Sequence, residues 1–358
     1  MDEATMAKVQ QFAERALGEA AAAAGLALAR LGDRLGLWQA MAGAGPLSSA
    51  ELAERTGTAE RYLREWLACQ AAGGYVTYDP ATQTFTLPDE VAAVLAIEDS
   101  PAYGGGIVQT LAVLWKEEAT LAEAFRTGRG IGWHQHDPDL YDGQDRTGRP
   151  LLRDQLLASW IPALDGVAAR LQQGARVAEV VCRFGAATTL LAQAYPRSTF
   201  WGFDTHDVAV ARARKAAAEA GLSDRVTFEV ASATAFPGHY DLVCFLNTVH
   251  DLGDPVGALA HARQALSDGG TVLVVEPRAP DRLEDNLTPV GRLFYAASTG
   301  WCLPSGLSEP PALGLGNQVG EARLRELLAD AGFGQVRLAV DTPFNLVFEV
   351  RPPKTTFR

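Results

Sequence analysis

Hydrophobic side chains recur at helical spacing in the first part of the chain and gather into short continuous runs in the second. Over 6–42 Ala, Leu and Arg dominate, and Leu26, Leu28, Leu31, Leu35 and Trp38 recur near helical spacing, which predicts a long helix. Ser48 followed three residues later by Glu51 is a capping-box pair that opens another helix. Gly57-Thr58 interrupts it, and a further helix is predicted over 58–71, stopped by Gly73-Gly74. The runs 75–78 and 84–87 flank Asp79-Pro80-Ala-Thr and predict a hairpin. Helix, turn, helix and hairpin in that order are the layout of a winged helix. A helical middle follows over 101–173.

From Ala175 the period changes. Apolar runs over 177–182, 199–204, 226–230, 241–247 and 271–276 predict five strands, the first four set apart by helical or turn segments and the last preceded by a helix over 255–266 and an Asp268-Gly-Gly turn. A helix over 321–331 and strands over 336–340 and 345–350 close the chain. Alternating strand and helix predicts an α/β fold with a doubly wound, mostly parallel sheet and helices on both faces. The final pair of strands, with no helix between them, predicts an antiparallel edge. The expected organisation is helices and a winged helix over 1–100, a helical linker over 101–173 and the α/β domain over 174–358.

Length and charge narrow the picture. At 358 residues the chain suits about two domains of ordinary size. A net charge of −12 argues against a nucleic-acid or anionic-membrane binder, since both need a basic face. Within 48–66, Glu51, Glu54, Glu60 and Glu65 outnumber Arg55, Arg61 and Arg64, so the candidate recognition helix is not basic. The N-terminus lacks a signal-peptide pattern, and the Ala-rich stretch 20–31 is too short to span a bilayer. Cys69, Cys182, Cys244 and Cys302 are far apart, which fits a reducing, cytoplasmic setting and no zinc framework. His134 and His136 could both reach one ion, but no third ligand stands at a telling spacing, so no metal site is expected.

In a doubly wound sheet the ligand lies at the carboxyl ends of the strands, near the topological switch point. Asp204 ends the second strand, about 20 residues past the first strand-to-helix turn, where a carboxylate can grip a ribose diol. The 35 glycines are generous for a nucleoside-binding chain, so their placement in that first turn matters.

Several stretches together resemble the class I S-adenosylmethionine (SAM) methyltransferases, in an actinobacterial-type group with an N-terminal winged helix. They are Leu31-Gly-Asp-Arg-Leu-Gly-Leu-Trp, Ser159-Trp-Ile-Pro-Ala-Leu-Asp-Gly, Ala192-Gln-Ala-Tyr-Pro, Phe203-Asp204, Val249-His-Asp-Leu-Gly-Asp-Pro, Leu283-Glu-Asp-Asn-Leu and Gly314-Leu-Gly. The resemblance implies a Rossmann-like methyltransferase domain, SAM as cofactor, a small-molecule substrate from secondary metabolism and a homodimer. It implies that His250 is the general base for an acceptor hydroxyl, a role that suits an imidazole near neutral pH. Asp251 either orients it or caps the next helix. The cofactor-side candidates are Glu179, Gly185, Asp204, Ser232 and Asn247. Trp301 and Cys302 align with a segment over the substrate cavity, and Trp133, His134, His136 and Trp160 are further candidates for its lining.

The glycine loop departs from the family pattern of an acid followed by G-x-G-x-G. Here it reads Glu179-Val-Val-Cys-Arg-Phe-Gly185, with Val181 and Arg183 at the first two glycine positions. A β-branched Val resists positive φ, and Arg183 sets a cation near a sulfonium. The two penalties, strain at Val181 and charge repulsion from Arg183, roughly 2–6 kcal/mol together, predict SAM binding weakened about thirty-fold to ten-thousand-fold, or a refolded loop. Ser232 replaces the acid expected after the third strand and carries no charge. The departures favour an enzyme that keeps its cavity and His250 but performs non-methylating acid–base chemistry: cyclisation, elimination, isomerisation or decarboxylation. The alternative is a working small-molecule O-methyltransferase. A non-catalytic ligand-binding or regulatory protein is the third reading.

Overall fold

A computed structural model describes residues 1–354; the last four residues of the expected α/β domain lie outside the described part. The chain packs as two compact units, one of residues 1–115 and 138–150, the other of 116–137 and 151–354.

The first unit contains the winged helix. Helix Glu3–Arg34 is followed by a short helix Leu37–Met41, so the single helix expected over 6–42 is broken. The break is at Gly36, whose φ of 71° leaves the right-handed helical region. Helix Ser49–Thr56 starts with the expected capping box, in which Ser48 accepts the Glu51 N–H while the Glu51 carboxylate accepts the Ser48 N–H. Helix Glu60–Ala72 and the antiparallel pair β1 (Thr77–Asp79) and β2 (Thr84–Thr86) complete the motif. Its core is centred on Trp38 and Trp66, whose indole N–H groups donate to the carbonyls of Ala29 and Leu28.

The second unit is built on a seven-stranded sheet. Its strands are β3 (Arg176–Val180), β4 (Thr199–Asp204), β5 (Val226–Val230), β6 (Tyr240–Leu246), β7 (Leu266–Pro277), β8 (Gln335–Asp341) and β9 (Asn345–Arg351). The order is β5-β4-β3-β6-β7-β9-β8, parallel from β5 to β7, with β9 antiparallel to both neighbours. The central strands β6 and β7 are buried over 242–246 and 271–276 because both sheet faces are covered there. Along β6, Leu242, Cys244 and Leu246 enter one core layer, while Val243 and Phe245 enter the other. The expected Asp268-Gly-Gly turn lies inside β7, where a register shift opposite Tyr240 and Leu242 absorbs it. Among the described residues no helix is long and apolar enough to cross a membrane.

The topology fixes where a ligand belongs. From β3 the chain winds outward through β4 and β5, then returns to β6 on the other side and winds the opposite way. The switch point therefore lies between β3 and β6, flanked by the loops that follow them.

Candidate active site

The loop after β3 keeps the backbone of a glycine loop although two of its glycine positions carry side chains. Val181, Arg183 and Gly185 have φ of 59°, 52° and 71°. The strand expected over 177–182 ends at Val180 for this reason. Neighbouring groups hold the loop: Cys182 N–H donates to the Phe203 carbonyl at 2.9 Å, and Arg183 N–H donates to Asp204 Oδ2 at 2.8 Å. The loop has not refolded, so the strain falls on folding rather than on ligand binding. The left-handed angles are already present in the folded chain, beside the bulk and charge of the two side chains. Gly185 is the position that admits no side chain, because a Cβ there would stand 2.3 Å from the Phe228 ring.

Glu179 is buried in β3 and accepts hydrogen bonds from the Thr188 N–H and hydroxyl. Burial pushes its carboxyl up to about 7, against the opposing pull of the Thr188 bonds and Arg183. Its bonds serve the following helix, Ala186–Ala194. Asp204 is also buried, and its second oxygen accepts the His206 N–H at 2.9 Å. Burial raises its pKa despite these two backbone donors. A carboxylate offers about four acceptor sites, so Asp204 can still take a ribose diol. Ser232 is exposed just beyond β5, its hydroxyl 3.0 Å from that of Thr234.

The loop after β6 holds a buried charge network. Asn247 takes a φ of 54°, which Asn tolerates, and its side-chain oxygen accepts from Asn345 at 2.9 Å. Glu276, near the end of β7, accepts the N–H groups of Thr248 and Val249 through one oxygen, at 3.1 and 2.9 Å. Its other oxygen lies 2.5 Å from His250 Nδ1. His250 Nε2 lies 3.2 Å from Asp251 Oδ1, and the Cys302 thiol bonds to both residues. Burial alone lowers the pKa of His250, but the charges of Asp251 and Glu276 and the bonds to Cys302 and Glu276 hold it well above the ordinary value. Burial lifts the Cys302 thiol to about 12. The following helix, Pro255–Gln264, is capped by Asp254, so of the two roles expected for Asp251 only the contact with His250 is realised.

Sequence reasoning missed Glu276. Its signal was present, since an acid closing a predicted strand is what singled out Asp204.

The Arg183 guanidinium joins the two loops. Its Nη2 donates to the Asn247 carbonyl at 3.1 Å and lies 3.8 Å from Asp251 Oδ2. Its centre is 5.8 Å from the Trp133 ring. Trp133 is thus beside the crevice, in the short turn Trp133–Gln135. His134 is exposed, whereas His136 is buried with Nδ1 2.6 Å from Glu117, so the two imidazoles occupy different environments. Trp160 belongs to the core layer under the sheet rather than to a cavity wall. Trp301 and Cys302 are buried in a π-helical turn, Ser298–Cys302, which brings the thiol to His250. The donor atoms of His250, Asp251 and Cys302 lie within 4.8 Å of one another, a set able to hold a divalent ion. A hollow of about 210 Å³ lined by Arg170, Asp241 and Arg351 opens at the amino ends of the strands, the wrong end for a ligand of this topology.

Comparisons with known proteins agree with this architecture. Residues 22–97 match the family model of the Rv2258c-like winged HTH domain, and residues 178–272 match that of a methyltransferase domain. No curated protein sequence matches the chain. An O-methyltransferase family protein from Burkholderia thailandensis is similar in structure, with a TM-score of 0.68, 18% identity and 99% of each chain covered. The mitomycin 7-O-methyltransferase MmcR gives 0.69 at 19% identity, covering 98% of this chain and 100% of its own. NcsB1, an O-methyltransferase from neocarzinostatin biosynthesis solved with S-adenosyl-L-homocysteine and 1,4-dihydroxy-2-naphthoic acid, gives 0.62 at 21% identity, covering 94% and 98%. Such identities establish fold rather than activity. The chain therefore carries a segment similar to the Rv2258c-like winged helix-turn-helix domain and one similar to a methyltransferase domain, and its fold is that of the class I methyltransferases.

Proposed function

We propose that this protein methylates a hydroxyl group of a small molecule, with SAM as the donor and His250 as the base. The observation that carries this reading is the buried Glu276–His250 pair at the carboxyl ends of β6 and β7, beside the switch point. Asp204 and the positive-φ loop after β3 are the groups that would hold SAM, and the retained loop backbone fits it. Bound SAM supplies an electrophilic methyl group.

The residues do the rest. Glu276 is fixed by two backbone donors and sets the direction of the imidazole through Nδ1, so the acceptor hydroxyl would meet Nε2, which faces Asp251 Oδ1 at 3.2 Å and would exchange that contact for the substrate. Because His250 is held well above its ordinary pKa, it carries a proton near neutrality and must shed it before it can accept another. The rate therefore rises with pH as that proton leaves. Helix Glu3–Arg34 exposes Met6, Val9, Phe12 and Leu17, which supports the homodimer implied by the resemblance.

One observation favours the non-methylating reading: the Arg183 guanidinium reaches across from the first loop to Asn247 and adds a cation where a sulfonium would come. Calorimetric titration with SAM and S-adenosylhomocysteine, followed by transfer of labelled methyl to a panel of phenols and hydroxy acids, separates the two. Low-micromolar binding with transfer supports the methyltransferase. Failure of both nucleosides to bind rejects it in favour of cofactor-free acid–base chemistry.

A further inference from the structure

We infer that Arg183 is a carboxylate-binding residue of the switch-point crevice, placed there by the loss of the second loop glycine. The carboxylate has two possible sources, the amino-acid part of an adenosyl cofactor or a carboxyl group on the acceptor. The inference concerns binding alone and stands whether or not a methyl group moves.

Arg183 holds a φ of 52° that glycine adopts more cheaply, and the Asp204 carboxylate keeps it there through the Arg183 N–H. That conformation sends the side chain to the Asn247 carbonyl on the far side of the crevice. A guanidinium carries five N–H donors in a planar fork. The bond to Asn247 uses Nη2, and the 3.8 Å to Asp251 is an ion pair too long for a hydrogen bond. The side chain keeps about a third of its surface exposed, so the fork remains open to a ligand.

The surroundings select an anion. The nearest carboxylate, Asp251, stands 3.8 Å from Arg183 Nη2 through one oxygen and faces His250 through the other, so it gives the guanidinium no hydrogen bond. A bidentate carboxylate on the fork completes the pairing and screens Arg183 from a cationic neighbour. The Trp133 ring, 5.8 Å away, offers an apolar wall beside that position.

The test compares ligands in pairs that differ in the carboxylate, on wild type, R183Q and R183K. S-adenosylhomocysteine is set against its α-carboxamide, and salicylate against phenol, with affinity read by calorimetry and folding checked by thermal melts. In at least one pair the carboxylate member is expected to lose about ten- to a hundred-fold on R183Q, with its neutral partner unchanged and R183K in between. The pair that responds identifies the source. The inference is overturned if R183Q binds the carboxylates as tightly or more tightly, if both members of each pair shift together, or if wild type binds neither carboxylate. Loss of methyl transfer with the carboxylate preference intact counts against the proposed function and leaves this inference in place.

Discussion

The loops after β3 and β6 face each other across one crevice and are built on opposite principles. The first is a backbone device. Its conformation survives replacement of two glycines because Asp204 and the Phe203 carbonyl hold its N–H groups, while Val181 packs half-buried against the core and Arg183 extends toward the second loop. The second is a side-chain device, in which buried charges on Glu276, His250 and Asp251 neutralise and orient one another. A loop held by backbone bonds tolerates new side chains wherever there is room. A buried charge network does not tolerate the loss of a member, because an unpaired buried charge is costly.

The largest expected effect breaks the second loop. His250→Gln should lower methyl transfer about a hundred- to ten-thousand-fold in single-turnover assays, with S-adenosylhomocysteine binding unchanged. Equal loss of binding would mean that His250 is structural.

Next comes the first loop at its one sterically closed position. Gly185→Ala meets both a φ of 71° and a Cβ contact of 2.3 Å with Phe228. It should cost about 3 kcal/mol or more in urea unfolding, whereas Val181→Ala should stay within about 1 kcal/mol. Similar losses at both positions would show that the loop is held by something other than local room.

A third effect sharpens the electrostatic side of the first loop. The Glu179 carboxyl is raised from 4.5 to about 7 in the fold, so the native state binds its proton more tightly than the unfolded chain does. Its contribution is present below about pH 4.5 and is lost as the pH rises through 7, a swing of about 3 kcal/mol. Glu179→Gln removes the swing. The difference in melting temperature between variant and wild type should favour the variant increasingly from pH 5 to pH 8. A constant difference would place Glu179 outside the titration.

Much of this was legible in the sequence. The capping box at Ser48, the wing hairpin and the alternation of strands and helices are local signals, and each appears in the structure. Asp204 was singled out as a candidate by its strand-end position and His250 by the resemblance, and the structure places them at the carboxyl ends of β4 and β6. The misses have two causes. Asp268-Gly-Gly forming a bulge and Glu276 pairing with His250 both depend on what packs opposite, whereas the break at Gly36 is a local left-handed turn.

The sequence by itself determined the architecture and the end of the sheet where a ligand belongs in this topology, because hydrophobic period and strand-end polarity are written locally. It also marked Val181 and Arg183 as departures from a glycine loop. Only the tertiary structure decided what those departures do. Hydrogen bonds from residues distant in sequence hold the loop in its left-handed conformation, so the strain is charged to folding. The long side chain of Arg183 is then left reaching across to the carbonyl of Asn247 in the second loop.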